Sequence, residues 1–282
     1  MIISASRRTD IPAYYSDWFF NRVEEGLVLV RNPINFNQVR RVNITPDAVT
    51  GIVFWTKNPQ PMLARLGELR EYKYYFQFTI TPYGKDIEPK LPQKATELFT
   101  TFKRLSDTIG KDRVIWRYDP VFLNAKYTVD YHMSAFEKMA GELHRYTNQV
   151  IFSFIDTHYR GVKANAKALA IDDIDDKTKA KLAAALTAIA QSYNLKIATC
   201  AEKLDLEHLG IDRARCIDGA FFEQPYKKDK NQRLECGCSP SVDIGMYNTC
   251  PGGCRYCYAN YNPGSITGNC SRHDPRSEFI GP

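Results

Sequence analysis

Six apolar, β-rich runs recur along this chain of 282 residues, and most are followed by a helix-length segment. They are IISAS (2–6), GIVFWTKNP (51–59), YYFQFTIT (74–81), RVIWRYDP (113–120), QVIFSFID (149–156) and LKIATCAE (195–202). The apolar cores of these runs are continuous rather than alternating, as expected for parallel strands covered on both faces. Helix-length partners include AYYSDWFFNRVEEG, with Pro12 near its start and Gly26 as its stop, PMLARLGELREY, TELFTTFKRLSDTIG, residues 129–147 and the alanine-rich KTKAKLAAALTAIAQSY. LVLVRNPINFNQVRRVNI reads as a hairpin between the first two units. Six such units in an α/β chain make either an open doubly wound sheet or a barrel, complete or partial. In both, function gathers at the C-terminal ends of the strands.

Polar side chains are dense at those ends. Ser4, Ser6, Arg7, Arg8, Thr9 and Asp10 follow the first run, and Thr56, Lys57 and Asn58 follow the second. Gln77, Thr79 and Thr81 lie in the third, Arg117, Tyr118 and Asp119 close the fourth, Ser153 and Asp156 lie in the fifth, and Thr199, Cys200 and Glu202 end the sixth. Solvated loops explain single cases. Trp-Arg-Tyr-Asp and Phe-Trp-Thr-Lys-Asn put charges beside large aromatics, where desolvation is costly without a partner or ligand.

After residue 210 the regular pattern stops, and residues 211–282 are rich in Gly, Pro, Asn and Cys. Loops of such length are normally functional or disordered, and bound metal is one way to order them. Five of the eight cysteines (Cys236, Cys238, Cys250, Cys254, Cys257) fall here within 22 residues. No apolar run approaches the roughly 20 residues that span a bilayer. The start, MIISASRRTD, lacks a signal-peptide pattern, so a cytoplasmic chain is expected. In a reducing compartment such a cluster reads as a metal site rather than as disulfides. The formal charge of +6 permits an anionic ligand but does not indicate nucleic acid.

Thiolates are soft ligands that favour zinc, copper(I) and iron–sulfur clusters. Cys250, Cys254 and Cys257 are spaced C-x3-C-x2-C in CPGGCRYC. Three thiolates on a glycine-bearing loop suit three irons of a [4Fe–4S] cube and leave the fourth open. Cys200, Cys216, Cys236 and Cys238 make a further four, enough for an auxiliary [4Fe–4S] cluster or a zinc ion. Cys270 is read as incidental. The five histidines are dispersed, and no phosphate loop, dinucleotide fingerprint or nucleophile elbow is present.

CPGGCRYC, with Tyr256 before its third cysteine, resembles the signature of radical S-adenosylmethionine (SAM) enzymes. SASRRTDIP, FWTKNP, WRYDP and SVDIG…YCYAN resemble an uncharacterised bacterial domain family with a C-terminal cysteine cluster of that type. The resemblance implies a partial (β/α)6 TIM-like barrel over residues 1–210, with a cysteine-rich segment, 211–282, packed on its mouth. It implies Cys250, Cys254 and Cys257 as cluster ligands and Tyr256 near the adenine of SAM. A 5′-deoxyadenosyl radical would then abstract hydrogen from a substrate, with a flavodoxin or ferredoxin as reductant. Under that reading Ser6 and Thr79 contact SAM, and Arg7, Lys57, Arg117, Asp119 and Asp156 contact substrate or the SAM carboxylate. In that superfamily the triad follows the first strand; here it follows the last predicted one. Two other classes compete: an iron–sulfur electron-transfer or structural protein without SAM, and a zinc-stabilised binding module.

Overall fold

The structure, a computed structural model, describes residues 1–282 apart from the side chains of Arg160 and Ala164. The six expected strands form: β1 (Ile2–Ala5), then after a separate antiparallel hairpin of β2 (Leu27–Arg31) and β3 (Val39–Asn43), β4 (Gly51–Thr56), β5 (Tyr74–Thr79), β6 (Val114–Val121), β7 (Gln149–Phe154) and β8 (Lys196–Thr199). Two further strands come from the irregular segment, β9 (Asp212–Arg213) and β10 (Ser241–Asp243). All eight strands of the main sheet pair in parallel, in the order β10-β1-β4-β5-β6-β7-β8-β9. The sheet is therefore larger than six strands and open: β10 and β9 are its edges, and no pairing joins them among the described residues.

The helices are α1 (Ile11–Tyr14), α2 (Ser16–Glu25), α3 (Phe99–Ile109), α4 (Val129–Leu143), α5 (Arg160–Ala166), α6 (Asp176–Ser192) and α7 (Pro263–Ser271). The expected first helix is broken at Tyr15, whose backbone leaves the helical region at φ −133°, and α2 ends at Gly26 with φ 70°. PMLARLGELREY winds as a 3-10 helix over Gln60–Leu69. Pro59 and Pro61 remove donors from its first turn and Gly67 weakens its interior. Asp10, Thr128 and Asp175 cap α1, α4 and α6 by accepting a backbone N–H.

Alternation along each strand divides the sheet into two faces. Ile52 and Phe54, Phe76 and Phe78, and Val114, Trp116 and Tyr118 join the core beneath the helices. Burying each such side chain contributes roughly 2–3 kcal/mol. Ile2, Val53, Tyr75, Ile151 and Ala198 face the other way, into a smaller cluster closed by Ala214, Cys216, Ile217, Phe222, Cys236 and Cys238. The irregular segment thus does for one face what helices do for the other. No helix among the described residues is long and apolar enough to cross a membrane.

Candidate functional site at the strand ends

The C-terminal segment is fastened to the start of the chain. Asp243 pairs with Ser4 in the β10–β1 register. Its carboxylate accepts from Ser4 Oγ at 3.0 Å, Ser6 Oγ at 2.6 Å, the Arg7 N–H at 2.9 Å and the Gly245 N–H at 3.0 Å. Thr9 and Thr249 hydroxyls meet at 2.6 Å, and the Tyr15 hydroxyl donates to the Thr249 carbonyl. The cysteine loop that follows β10 then lies over the ends of β1, β4 and β5. The Arg255 N–H donates to the Ile87 carbonyl at 3.0 Å, and the Tyr258 hydroxyl to the Arg7 carbonyl at 2.7 Å. The triad is last in chain order among the strands, yet its strand β10 is first in space.

A cavity of about 920 Å³ opens there, lined by Cys250, Cys254 and Cys257 on one side. Strand-end residues Ser6, Arg7, Lys57, Thr79, Arg117, Asp119 and Asp156 line it too, with Tyr256, Cys200, Cys216, Cys236 and Cys238. All fifteen positions given a metal, cofactor or substrate role in the sequence reading therefore border one space. Its volume suits a ligand of cofactor size.

Within it the side chains have separate partners. Glu88, buried to 1% exposure, receives Lys57 Nζ at 2.7 Å, Lys94 Nζ at 2.6 Å and Thr81 Oγ1 at 2.8 Å. The Tyr256 hydroxyl also donates to it. Burial works to raise the Glu88 pKa, but the two ammonium groups outweigh it and hold the carboxyl at about 2. Lys57 lies near enough to Cys254 to oppose the rise in its pKa. Burial pushes Asp10 up to about 6, opposed by the N–H groups of Lys57 and Ala13. Lys57 N donates to Asp10 at 2.7 Å. Arg7 lies 3.8 Å from Asp243. Asp156 takes Arg233 at 3.2 Å and His158 at 2.9 Å. The Ser153 hydroxyl donates to Asp119.

Arg117 is engaged elsewhere than a free anion clamp would be. Its guanidinium donates to Asp119 at 2.7 Å, to Cys216 Sγ at 3.0 Å and to Gln77 at 3.4 Å, and it lies over the Trp55 ring at 5.2 Å. It lines the cavity together with Cys200, Cys216, Cys236 and Cys238.

Burial raises the triad thiols, Cys250 to about 12 and Cys254 well above its ordinary value, with Lys57 opposing the rise at Cys254. As neutral thiols they are poor ligands; a metal must displace their protons on binding. The loop suits such a group. Gly253 sits at φ 71°, and a side chain at Gly252 would come within 3.4 Å of Cys250 Sγ and 3.3 Å of the Tyr14 hydroxyl. As they stand, however, no three His, Cys, Asp or Glu among the described residues are arranged to hold a metal ion. Cys270 is not among the residues that line the cavity; its thiol donates to the carbonyl of Thr249, the residue before Cys250, at 3.2 Å.

The sequence reading missed Glu88 and Asp243 as site-forming residues. Asp243 lies in SVDIG, which carried the resemblance, but a three-residue edge strand gives no periodic signal. Glu88 lies in a loop between Pro82 and Pro92, and its local sequence does not show its pairing with Lys57 and Tyr256, 31 and 168 positions away.

Neither a curated protein nor a solved structure matches the chain. Residues 2–259 match the family described as Domain of unknown function (DUF1848), and the chain belongs to that family.

Proposed function

We propose that the chain is a radical SAM-like enzyme whose Cys250, Cys254 and Cys257 hold a [4Fe–4S] cluster. The observation that carries the reading is spatial. The C-x3-C-x2-C loop follows β10, the strand at the head of the sheet, and faces the cavity at the strand ends. The consecutive order of the six β/α strands is, on this reading, that of a partial (β/α)6 barrel, open at its edges. Bound there, the cluster would supply the electron for reductive cleavage of SAM.

The chain's own residues do the rest. Gly252 and Gly253 let the loop curve closely around its ligand. Lys57 is the cation that favours the thiolate form of Cys254, against burial and Glu88. Tyr256 is held by Glu88, with Lys57 Nζ 5.2 Å from its ring centre. Its aromatic surface would bear on the adenine. Ser6 and Thr79 would contact SAM, and Arg7, Lys57, Arg117, Asp119 and Asp156 would contact substrate or the SAM carboxylate. Closure of the mouth by the segment 211–282 limits water. A flavodoxin- or ferredoxin-type reductant and a cytoplasmic location complete the proposal.

The test is anaerobic reconstitution with iron and sulfide, then addition of SAM and dithionite. Formation of 5′-deoxyadenosine supports the enzyme. A loaded cluster without it leaves an electron carrier, and zinc at the triad in place of iron leaves a binding module.

A further inference from the structure

We propose that Cys200, Cys216, Cys236 and Cys238 form a second centre, a tetrahedral site for a single divalent ion of the zinc class. The proposal is independent of the chemistry at Cys250, Cys254 and Cys257. It separates two occupants that the sequence leaves open, one ion or a four-iron cube.

Three separate places in the chain bring these thiols together. Cys200 follows β8, with its N–H donating to the Phe152 carbonyl at 2.9 Å. Cys216 follows β9 and is pinned through its carbonyl, which accepts from Tyr75 at 2.8 Å and Gln77 at 2.9 Å. Cys236 and Cys238 flank Gly237 in the next loop, which is tied back by Ser239 N–H to the Ile217 carbonyl at 2.8 Å. Two of the thiols then touch. Cys216 Sγ lies 3.3 Å from Cys200 Sγ, and Cys236 and Cys238 complete the same buried cluster.

Contact distances decide the occupant. In a tetrahedral zinc site with bonds of about 2.3 Å, neighbouring sulfurs stand about 3.8 Å apart. From 3.3 Å that is a shift of roughly half an ångström, within reach of side-chain rotation about χ1. In a [4Fe–4S] cube each cysteine binds a different iron, so the four sulfurs lie outside the whole cluster and cannot touch. Reaching that spacing would require breaking the Tyr75 and Gln77 bonds that fix Cys216. The triad differs in this respect: among the described residues no sulfur–sulfur hydrogen bond joins Cys250, Cys254 and Cys257. The ion draws Cys200, Cys236 and Cys238 around Cys216, whose carbonyl Tyr75 and Gln77 hold in place.

The surroundings match a charged centre rather than four neutral thiols. Four thiolates around a divalent ion carry two negative charges. Arg117 donates to Cys216 at 3.0 Å, and the Ile217 N–H points at Cys238 Sγ at 3.4 Å. Arg117 is buried at 3% exposure, and Asp119 supplies it only one counter-charge. An anionic sulfur centre supplies another, and hydrogen bonds to sulfur are the usual outer shell of thiolate sites. The role is structural: the four cysteines close the sheet face that no helix covers, and an ion there orders residues 214–238.

The experiment measures metal in the chain purified without added iron. We expect one zinc per chain with no acid-labile sulfide, retained when Cys250, Cys254 and Cys257 are all changed to Ala and lost in Cys236→Ser/Cys238→Ser. Cobalt(II) in the triple-alanine variant should give thiolate charge-transfer bands and tetrahedral d–d bands. On the unaltered chain, chelator treatment should raise alkylation of Cys200, Cys216, Cys236 and Cys238 together, a readout that needs no variant. Iron with sulfide in the triple-alanine variant overturns the proposal. So does a Cys200–Cys216 disulfide, or a folded chain that carries no ion and shows no chelator-dependent labelling. None of these results depends on whether SAM is cleaved.

Discussion

Replacing Glu88 by Gln isolates the electrostatics beneath the cysteine loop. The change keeps volume and removes one negative charge from between Lys57 and Lys94, at 2.7 and 2.6 Å. The carboxyl is almost fully buried, so its pairing is little screened by solvent. Its pKa is about 2 in the fold against an ordinary 4.5. At about 1.4 kcal/mol per pH unit, that difference corresponds to roughly 3 kcal/mol of stability near neutral pH. Breaking a buried ion pair by removing one partner gives a similar figure, about 3–5 kcal/mol. Urea unfolding monitored by circular dichroism should show Glu88→Gln less stable by roughly 3 kcal/mol with an unchanged slope. The pH dependence has a fixed sign. The folded pKa is depressed, so the advantage of the natural chain is complete above about pH 4.5 and shrinks as pH falls towards 2. A loss below about 1 kcal/mol at pH 7 would mean the pairing is worth no more than a surface bridge, refuting the buried network.

Two further outcomes follow from other residues. His132 is buried with one ring nitrogen 2.8 Å from the Tyr118 hydroxyl and the other 2.9 Å from the Phe122 carbonyl, and burial lowers its pKa to about 4. The fold therefore loses up to about 3 kcal/mol as pH drops from 6.5 to 4; the stability difference from His132→Gln should narrow over that window, and a pH-independent difference would show that His132 does not titrate in this way. Gly253→Ala forces an L side chain to φ 71°, at a cost of about 1–2 kcal/mol; iron bound after reconstitution should fall while the rest of the fold persists, and full iron loading would remove the conformational argument for that glycine.

Much of the architecture is written in local pattern. The strands β1 and β4 to β8 are legible because each is apolar on both faces, and each is buried on both faces. β9 and β10 are not, since Asp-Arg and Ser-Val-Asp carry no apolar run. They exist through their pairing to β8 and β1, and β10 through the four donors that converge on Asp243. The same division holds at the site. C-x3-C-x2-C is a local spacing and identifies the triad. The contacts among Cys200, Cys216, Cys236 and Cys238 depend on how Tyr75 and Gln77 hold a loop some 140 positions away in the chain. Arg117 was singled out for sitting between Trp116 and Tyr118, yet its direction is set by strand alternation and by Cys216. Glu88 has Lys85 and Lys90 beside it in sequence, yet the cations that pair with it are Lys57 and Lys94.

The central claim rests on the triad, and SAM turnover addresses it directly. The anaerobically reconstituted chain, shown to contain a [4Fe–4S] cluster by its spectrum and by iron and sulfide content, is incubated with SAM and dithionite. The account predicts 5′-deoxyadenosine from the natural sequence and none from Cys254→Ala. A natural chain that carries the cluster, binds SAM and yet forms no 5′-deoxyadenosine would contradict it.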